Sequence, residues 1–246
     1  MFTVEQRDAL RDRVLELAEA DPRVIAGAIV GSLAVGGDRW SDLDLTFGVA
    51  DGEPVAGVLE DWTRTLVDEF DAVFLFDLPS GPSIYRVFLM PGALQFDISF
   101  TPASEFAATS PRFRLLFGTA CERKLPLPAA EELLGWAAHH ALRARFCIER
   151  GSNWQAEYWT SSVRDYALSI ACRRRDLPPS YGRGYDDLPE GVREAFADAL
   201  ARSLDRDELL RALRVAIDGL LWVADGLPGA AKMAPRLREL QSSELL

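Results

Sequence analysis

Residues 31–49 run GSLAVGGDRWSDLDLTFGV, from Gly31-Ser32 through Asp42-Leu43-Asp44 to Val49. The run just before it, VIAGAIV (24–30), is β-branched and apolar and stops at Gly31, which predicts a buried strand ending in a tight turn. From residue 42 to residue 49 apolar and polar side chains alternate. Residues two apart share a face of a strand, so Leu43, Leu45, Phe47 and Val49 take one side, and Asp42, Asp44, Thr46 and Gly48 take the other. Two carboxylates therefore project the same way from one strand, a short loop after a Gly-Ser turn. A third strand, LQFDISF (94–100), repeats the pattern. Leu94, Phe96, Ile98 and Phe100 form its apolar side, and Asp97 stands mid-strand on the polar side beside Gln95 and Ser99. A lone charge there is costly, and a neighbouring strand carrying Asp42 and Asp44 would give it a reason: a three-carboxylate site.

The rest of the chain fits around these strands. Residues 3–20 predict an amphipathic helix through Val4, Leu10, Val14 and Leu17, and 52–70 a helix with Pro54 near its first turn. Segments 72–78 and 84–90 predict further strands, the latter joined to 94–100 across Pro91-Gly92. Strands interleaved with helices indicate an α/β or α+β first domain over residues 1–122. From residue 128 the pattern turns helical (129–150, 153–175, 190–203, 206–226, 230–242), broken by the Pro/Gly-rich stretch 175–191. An all-α second domain over 128–246 follows.

Composition narrows the class. The 246 residues are 48% hydrophobic and 26% charged, as in ordinary globular proteins. No apolar run approaches the roughly 20 residues that cross a membrane, and the charged N-terminus lacks a signal-peptide block, so a cytoplasmic protein with no membrane partner is expected. Three cysteines, Cys121, Cys147 and Cys172, lack metal-type spacing and are expected to be reduced core thiols. Of the net charge of −11, residues 1–120 carry −10. That balance disfavours nucleic acid, whose binding relies on Lys and Arg, and suits a cationic partner.

The residue types have a chemistry. Magnesium takes hard oxygen ligands at about 2.0–2.1 Å and completes its shell with water and substrate phosphates. Glycine lets backbone N–H groups approach a phosphate, and the Ser32 hydroxyl adds a donor. No Lys follows the turn, so it is not a Walker A loop. A single Asp-x-Asp is common on solvated strand edges, and a Gly-Ser pair is commoner still. Together, in this order, with a third strand carboxylate downstream, they are far more specific.

At Gly31-Ser32, Ser41-Asp42-Leu43-Asp44 and Asp97 the chain resembles the nucleotidyltransferase superfamily that includes DNA polymerase β and the aminoglycoside nucleotidyltransferases. The resemblance implies an α+β fold with a small mixed sheet flanked by helices, and transfer of a nucleoside monophosphate from an NTP, with ATP the expected donor, to a hydroxyl, with release of pyrophosphate and two-magnesium chemistry. By position, Asp42 and Asp44 bind metal, Asp97 is the third ligand or the base, and Gly31, Ser32 and Ser41 meet the nucleotide. The stretch 163–189 is fainter in its similarity to the helical domain of streptomycin/spectinomycin adenylyltransferases. There Arg183 falls at the place of a loop Lys that closes on the nucleotide, and the implied acceptor is a small cationic antibiotic of the resistance-enzyme kind. The other readings are a protein or RNA acceptor, or a regulatory module that binds a nucleotide without turnover.

Further candidates come from the residues alone. Arg39, in the loop before Asp42, is within range of a phosphate. Trp154, Tyr158, Ser161 and Asp165 follow i, i+4, i+7, i+11 and form one helical stripe that could face a cationic substrate or pack between domains. His139 and His140 are adjacent on a helix and diverge by about 100°, which predicts packing or exposure rather than metal binding.

Overall fold

The computed structural model describes residues 1–242. The chain divides into two compact units, a first of Met1–Pro126 and a second beginning at Leu127. The first is built on a mixed six-stranded sheet. Helix α1 (Val4–Ala20) opens it with a capping box: the Thr3 hydroxyl accepts from the Gln6 N–H, and the Gln6 carboxamide accepts from the Thr3 N–H. Strands β1 (Val24–Val30) and β2 (Leu43–Val49) follow, then α2 (Val55–Phe70), β3 (Val73–Ser80), β4 (Ser83–Met90) and β5 (Leu94–Pro102). Helix α2 begins just after Pro54, whose missing N–H costs nothing at a helix entry. The predicted mixed α+β first unit is what the chain forms.

With a later strand, β7 (Phe113–Phe117), the sheet order is β3-β4-β5-β2-β1-β7. The β2–β5 pair is parallel; the other pairs are antiparallel. Leu43, Leu45, Phe47, Phe96, Ile98 and Phe100 are buried with Leu10 and Val14 of α1 and Leu59, Trp62 and Leu66 of α2. Phe47 is the aromatic centre, its ring centroid 5.6 Å from Trp62, 5.6 Å from Phe100 and 6.4 Å from Phe117. Both helices thus cover the apolar face of β2 and β5, and Asp44, Thr46, Asp97 and Ser99 lie on the other.

Three short strands after residue 106 were not predicted. β7 (Phe113–Phe117) adds to the outer side of β1, Val30 opposite Phe113 and Ile29 opposite Arg114. A two-residue parallel pair, β6 (Ala107–Ala108) with β8 (Cys121–Glu122), closes the unit. Cys121 corrects the core-thiol expectation: it is exposed on β8, whereas Cys147 and Cys172 are buried, and all three are free.

The second unit is helical, as predicted: α3 (Ala130–Glu149), α4 (Asn153–Arg173), α5 (Glu190–Ala197), α6 (Arg206–Val223) and α7 (Ala230–Glu239). Small residues Ala137, Ala141, Ala144, Ala167 and Ala171 line its core with Leu213, Ile217 and Leu220. Helix α5 stops at Ala197 rather than at 203. Beyond it Ser203 and Asp205 bond to each other ahead of α6, and the Arg202 N–H donates to Glu208 (2.8 Å). Among the described residues no helix is long and apolar enough to cross a membrane.

Phe47→Ala empties the aromatic centre. Urea unfolding is expected to show a loss of about 3–5 kcal/mol in the first unit; a loss under about 1 kcal/mol would mean that the cluster does not hold the sheet to its helices.

Candidate active site

The two predicted carboxylate strands are neighbours. In the β2–β5 ladder Asp44 stands opposite Asp97, Thr46 opposite Ser99, and Leu43 and Leu45 opposite Phe96 and Ile98. Asp42 lies one residue before β2 begins, and its charge acts on Asp97. Burial is the first cause that holds Asp97's carboxyl above the usual range, and the Asp42 charge adds to it. The Gln95 side-chain amide opposes both, donating to the two Asp97 oxygens at 3.0 and 3.1 Å. One pleat along, the Ser99 hydroxyl donates to Thr46 (2.8 Å), so these buried hydroxyls satisfy each other.

The Gly31-Ser32 turn abuts this row. Gly31 has φ +70° and ψ −149°, a region closed to other residues, and its N–H donates to the Arg112 carbonyl (3.1 Å). A Cβ on Gly31 would lie 2.2 Å from Asp44 Oδ2. The Asp44 carboxylate therefore rests against bare backbone, in space that only glycine leaves open. Ser32 starts a 3-10 turn over Ser32–Val35, and its hydroxyl oxygen is buried with no hydrogen-bond partner among the described residues. An orphan donor at the rim of a carboxylate row, beside free backbone, suits a phosphate oxygen.

The loop between the turn and Asp42 is held by a residue that the sequence reading passed over. Arg7 of α1 is 5% exposed and donates to the carbonyls of Asp38 (2.8 Å) and Ser41 (3.0 Å). Ser41 is buried; its hydroxyl accepts from the Asp38 N–H (2.9 Å) and donates to the Asp38 carboxylate (3.2 Å). Its role in this arrangement is to shape the loop. Arg39 stacks on Trp40 (4.3 Å) and donates to the Phe2 carbonyl (3.1 Å), which turns its guanidinium to the N-terminal segment.

A hard divalent cation fits this donor chemistry. The groups are oxygen donors, and no basic side chain is among the influences on Asp97. Among the described residues no three His, Cys, Asp or Glu side chains are gathered so as to hold an ion unaided. Magnesium does not require that, since one or two carboxylates, phosphate oxygens and water complete its shell. An ion at Asp42, Asp44 and Asp97 would thus be completed by oxygens of its ligand.

In the helical unit, an open cleft of ≈ 590 Å³ is lined from α4 by Tyr158, Ser162, Asp165 and Ser169. The predicted stripe is therefore displaced: Tyr158 and Asp165 lie on it, Ser162 takes the place of Ser161, and Trp154 points outward at 79% exposed. Ser161 instead donates to Glu157 (2.6 Å). Asp165 pairs with Arg164 (2.8 Å). Arg183 is exposed and stacks on Tyr181 at 5.4 Å. His140, read from the sequence as a packing residue, lines the cleft.

No family model matches the chain, and no curated protein does. Among solved structures it is similar to an aminoglycoside 6-adenyltransferase from Bacillus subtilis, at 12% identity and a TM-score of 0.40, over 99% of this chain and 100% of that one. It is also similar to terminal uridylyl transferase 4 from Trypanosoma brucei with bound dUTP, at 15% identity and a TM-score of 0.34, over 90% and 69% of the two chains. Both likenesses are distant in sequence and in geometry.

Asp97 binds its proton more tightly folded than unfolded, so its ionised form costs stability above the raised folded pKa. The cost disappears at low pH, where both states are protonated. Asp97→Asn is expected to raise the thermal midpoint at neutral pH, with the gain fading as the pH falls through the raised folded pKa toward the ordinary value of 3.8. A variant less stable than the parent at neutral pH would show that Asp97 is a structural anchor instead.

Proposed function

We propose that the chain is a magnesium-dependent nucleotidyltransferase that moves AMP from ATP to a hydroxyl of a small cationic acceptor, such as an aminoglycoside, and releases pyrophosphate. The observation that carries this reading is the Asp44–Asp97 pairing across β2 and β5, with the Gly31 backbone against the Asp44 carboxylate and the Ser32 hydroxyl left without a partner.

Each residue has a chemical task. The Ser32 hydroxyl and the Ser32 backbone N–H donate to phosphate oxygens, while the Gly31 N–H stays on the Arg112 carbonyl. Asp42 and Asp44, with Asp97, are the residues to hold magnesium, which when bound supplies Lewis-acid stabilisation of charge on the transferring phosphoryl group. Asp97 is the third ligand or, where it stays off the metal, the base, a role that its burial-raised carboxyl suits. It takes the acceptor hydroxyl's proton as the acceptor oxygen bonds to the α-phosphorus and the bond from that phosphorus to the pyrophosphate oxygen breaks. Arg183 is the cation assigned to the triphosphate, and Asp165 and Tyr158 are assigned to the acceptor; Trp154, which points away from the cleft, drops out of that assignment.

Mass spectrometry of reactions with magnesium-ATP and a panel of aminoglycosides and related amines is expected to show a nucleotidylated product. Asp42→Asn and Asp44→Asn are each expected to lower its rate by at least about 100-fold. Transfer that survives both substitutions sinks the mechanism, and nucleotide binding without pyrophosphate release across the panel favours a regulatory module. Ser32→Ala removes a hydroxyl that bonds nothing in the protein, so the thermal midpoint is expected to hold or rise. Affinity for magnesium-ATP is expected to fall about tenfold or more, the value of one charge-assisted hydrogen bond. Unchanged affinity would place the phosphates elsewhere.

A further inference from the structure

The outermost strand of the sheet has the composition of an inner one. Among the described residues β3 (Val73–Ser80) ends the strand order, pairs only with β4, and leaves its other edge open. It nonetheless reads VFLFDL over 73–78, the near-continuous apolar run of a strand covered on both faces. The whole strand is exposed, with Val73, Phe74, Leu75, Phe76 and Leu78 each between 45% and 55%. Devices that guard an open edge are scarce along this run. No lysine or arginine stands on it, and its one charge, Asp77, is taken up by Arg86 of β4, which donates to both carboxylate oxygens (2.7 and 2.8 Å). Pro79 comes only after the run. At the other end of the sheet β7 is shorter and carries Arg114.

The run also matches itself. Partners across β4 and on to β5 fix its faces. Val73, Phe76 and Leu78, opposite Leu89, Val87 and Tyr85, lie on the side of Asp97, whereas Phe74 and Asp77, opposite Phe88 and Arg86, lie on the helix side. Leu75 is the extra residue of a bulge between them. Turned end for end about the Leu75–Phe76 step, the flanking faces coincide. A second copy laid antiparallel therefore sets Val73 against Leu78, Phe74 against Asp77 and Leu75 against Phe76, with no charge opposite a like charge. The two half-exposed phenylalanines alone offer roughly 200 Å² a side. Val73, Leu75, Leu78 and the adjoining Leu89 extend this toward the ~800 Å² a side of a standard interface. We propose that the chain forms a two-fold dimer in which β3 pairs with β3 of a second copy, joining two six-stranded sheets into one. Such a contact uses up both open β3 edges and closes at two. It is independent of the proposed reaction, since it needs neither nucleotide nor metal and uses none of the carboxylate site.

Sedimentation velocity on the full chain from about 1 to about 100 μM is expected to show a monomer–dimer equilibrium that stops at two copies. A reductant is present throughout, because Cys121 is exposed. Phe76→Lys puts like charges side by side at the two-fold axis and is expected to weaken the dimer at least about tenfold. Its thermal midpoint, compared at a concentration where the parent is monomeric, is expected to stay unchanged. Hydrogen exchange on the parent chain is expected to slow over residues 73–78 as the concentration rises, and to stay constant over 113–117 of β7. That measurement decides the question alone if the variant does not fold. A parent that stays monomeric at the highest concentration, assembly beyond two copies, a dimer unmoved by Phe76→Lys, or exchange over 73–78 that ignores concentration overturns the proposal.

Discussion

The parallel pairing of β2 with β5 fixes the first unit, because it commits two apolar faces to burial at once. Leu43, Leu45 and Phe47 lie beside Phe96, Ile98 and Phe100, all within 1% of full burial beneath α1 and α2. Side chains alternate with period two, so a slip of one residue would turn Asp44 or Asp97 into that apolar layer and expose its phenylalanines. The hydrophobic effect therefore sets the register, and the register places one carboxylate opposite the other. The carboxylates do not attract each other into this position. Their repulsion is imposed by the burial of the residues on either side of them.

A second layer of constraint fixes what lies around the pair. Arg7 reaches from the core side of α1 to two carbonyls of the 36–42 loop, and Ser41 and Asp38 close that loop on each other. The loop delivers Asp42 to the start of β2. On the other side Gly31 bends back in a conformation that only glycine tolerates and leaves the space occupied by the Asp44 carboxylate. At the rim of this frame the Ser32 hydroxyl is buried with no hydrogen-bond partner among the described residues.

The parts legible in the sequence were those written as period-two alternation bounded by turns. β1, β2, β5 and the side of each strand on which Asp44 and Asp97 stand follow from it. β7 was not legible because FRLLF is short, carries Arg114, and gains its place only by pairing with the free edge of β1. Arg7 was missed for a related reason: an arginine on an amphipathic helix reads as solvent-facing, and only the carbonyls of a distant loop explain its burial. In α4 the helical period predicted a stripe through Trp154, Ser161 and Asp165. Ser161 and Ser162 differ by a single step around the helix, and the 174–189 loop, which packs over Ser169, decides between them.

Two groups depart from an otherwise self-consistent frame, and they depart in complementary ways. Asp97 is an acid whose ionised form is disfavoured by burial and by the Asp42 charge, a burden that positive charge from outside would relieve. Ser32 is a hydroxyl whose donor has nothing to bond, a loss that negative charge from outside would relieve. A site that leaves these two open, linked through the Gly31–Asp44 contact and the Asp44–Asp97 pairing, suits a ligand that brings both signs together, as the proposed reaction requires. A cation bound to a polyphosphate is such a ligand. Neither ion alone answers both deficits: a free cation leaves the Ser32 donor unpaired, and a free phosphate anion would be repelled by the carboxylates.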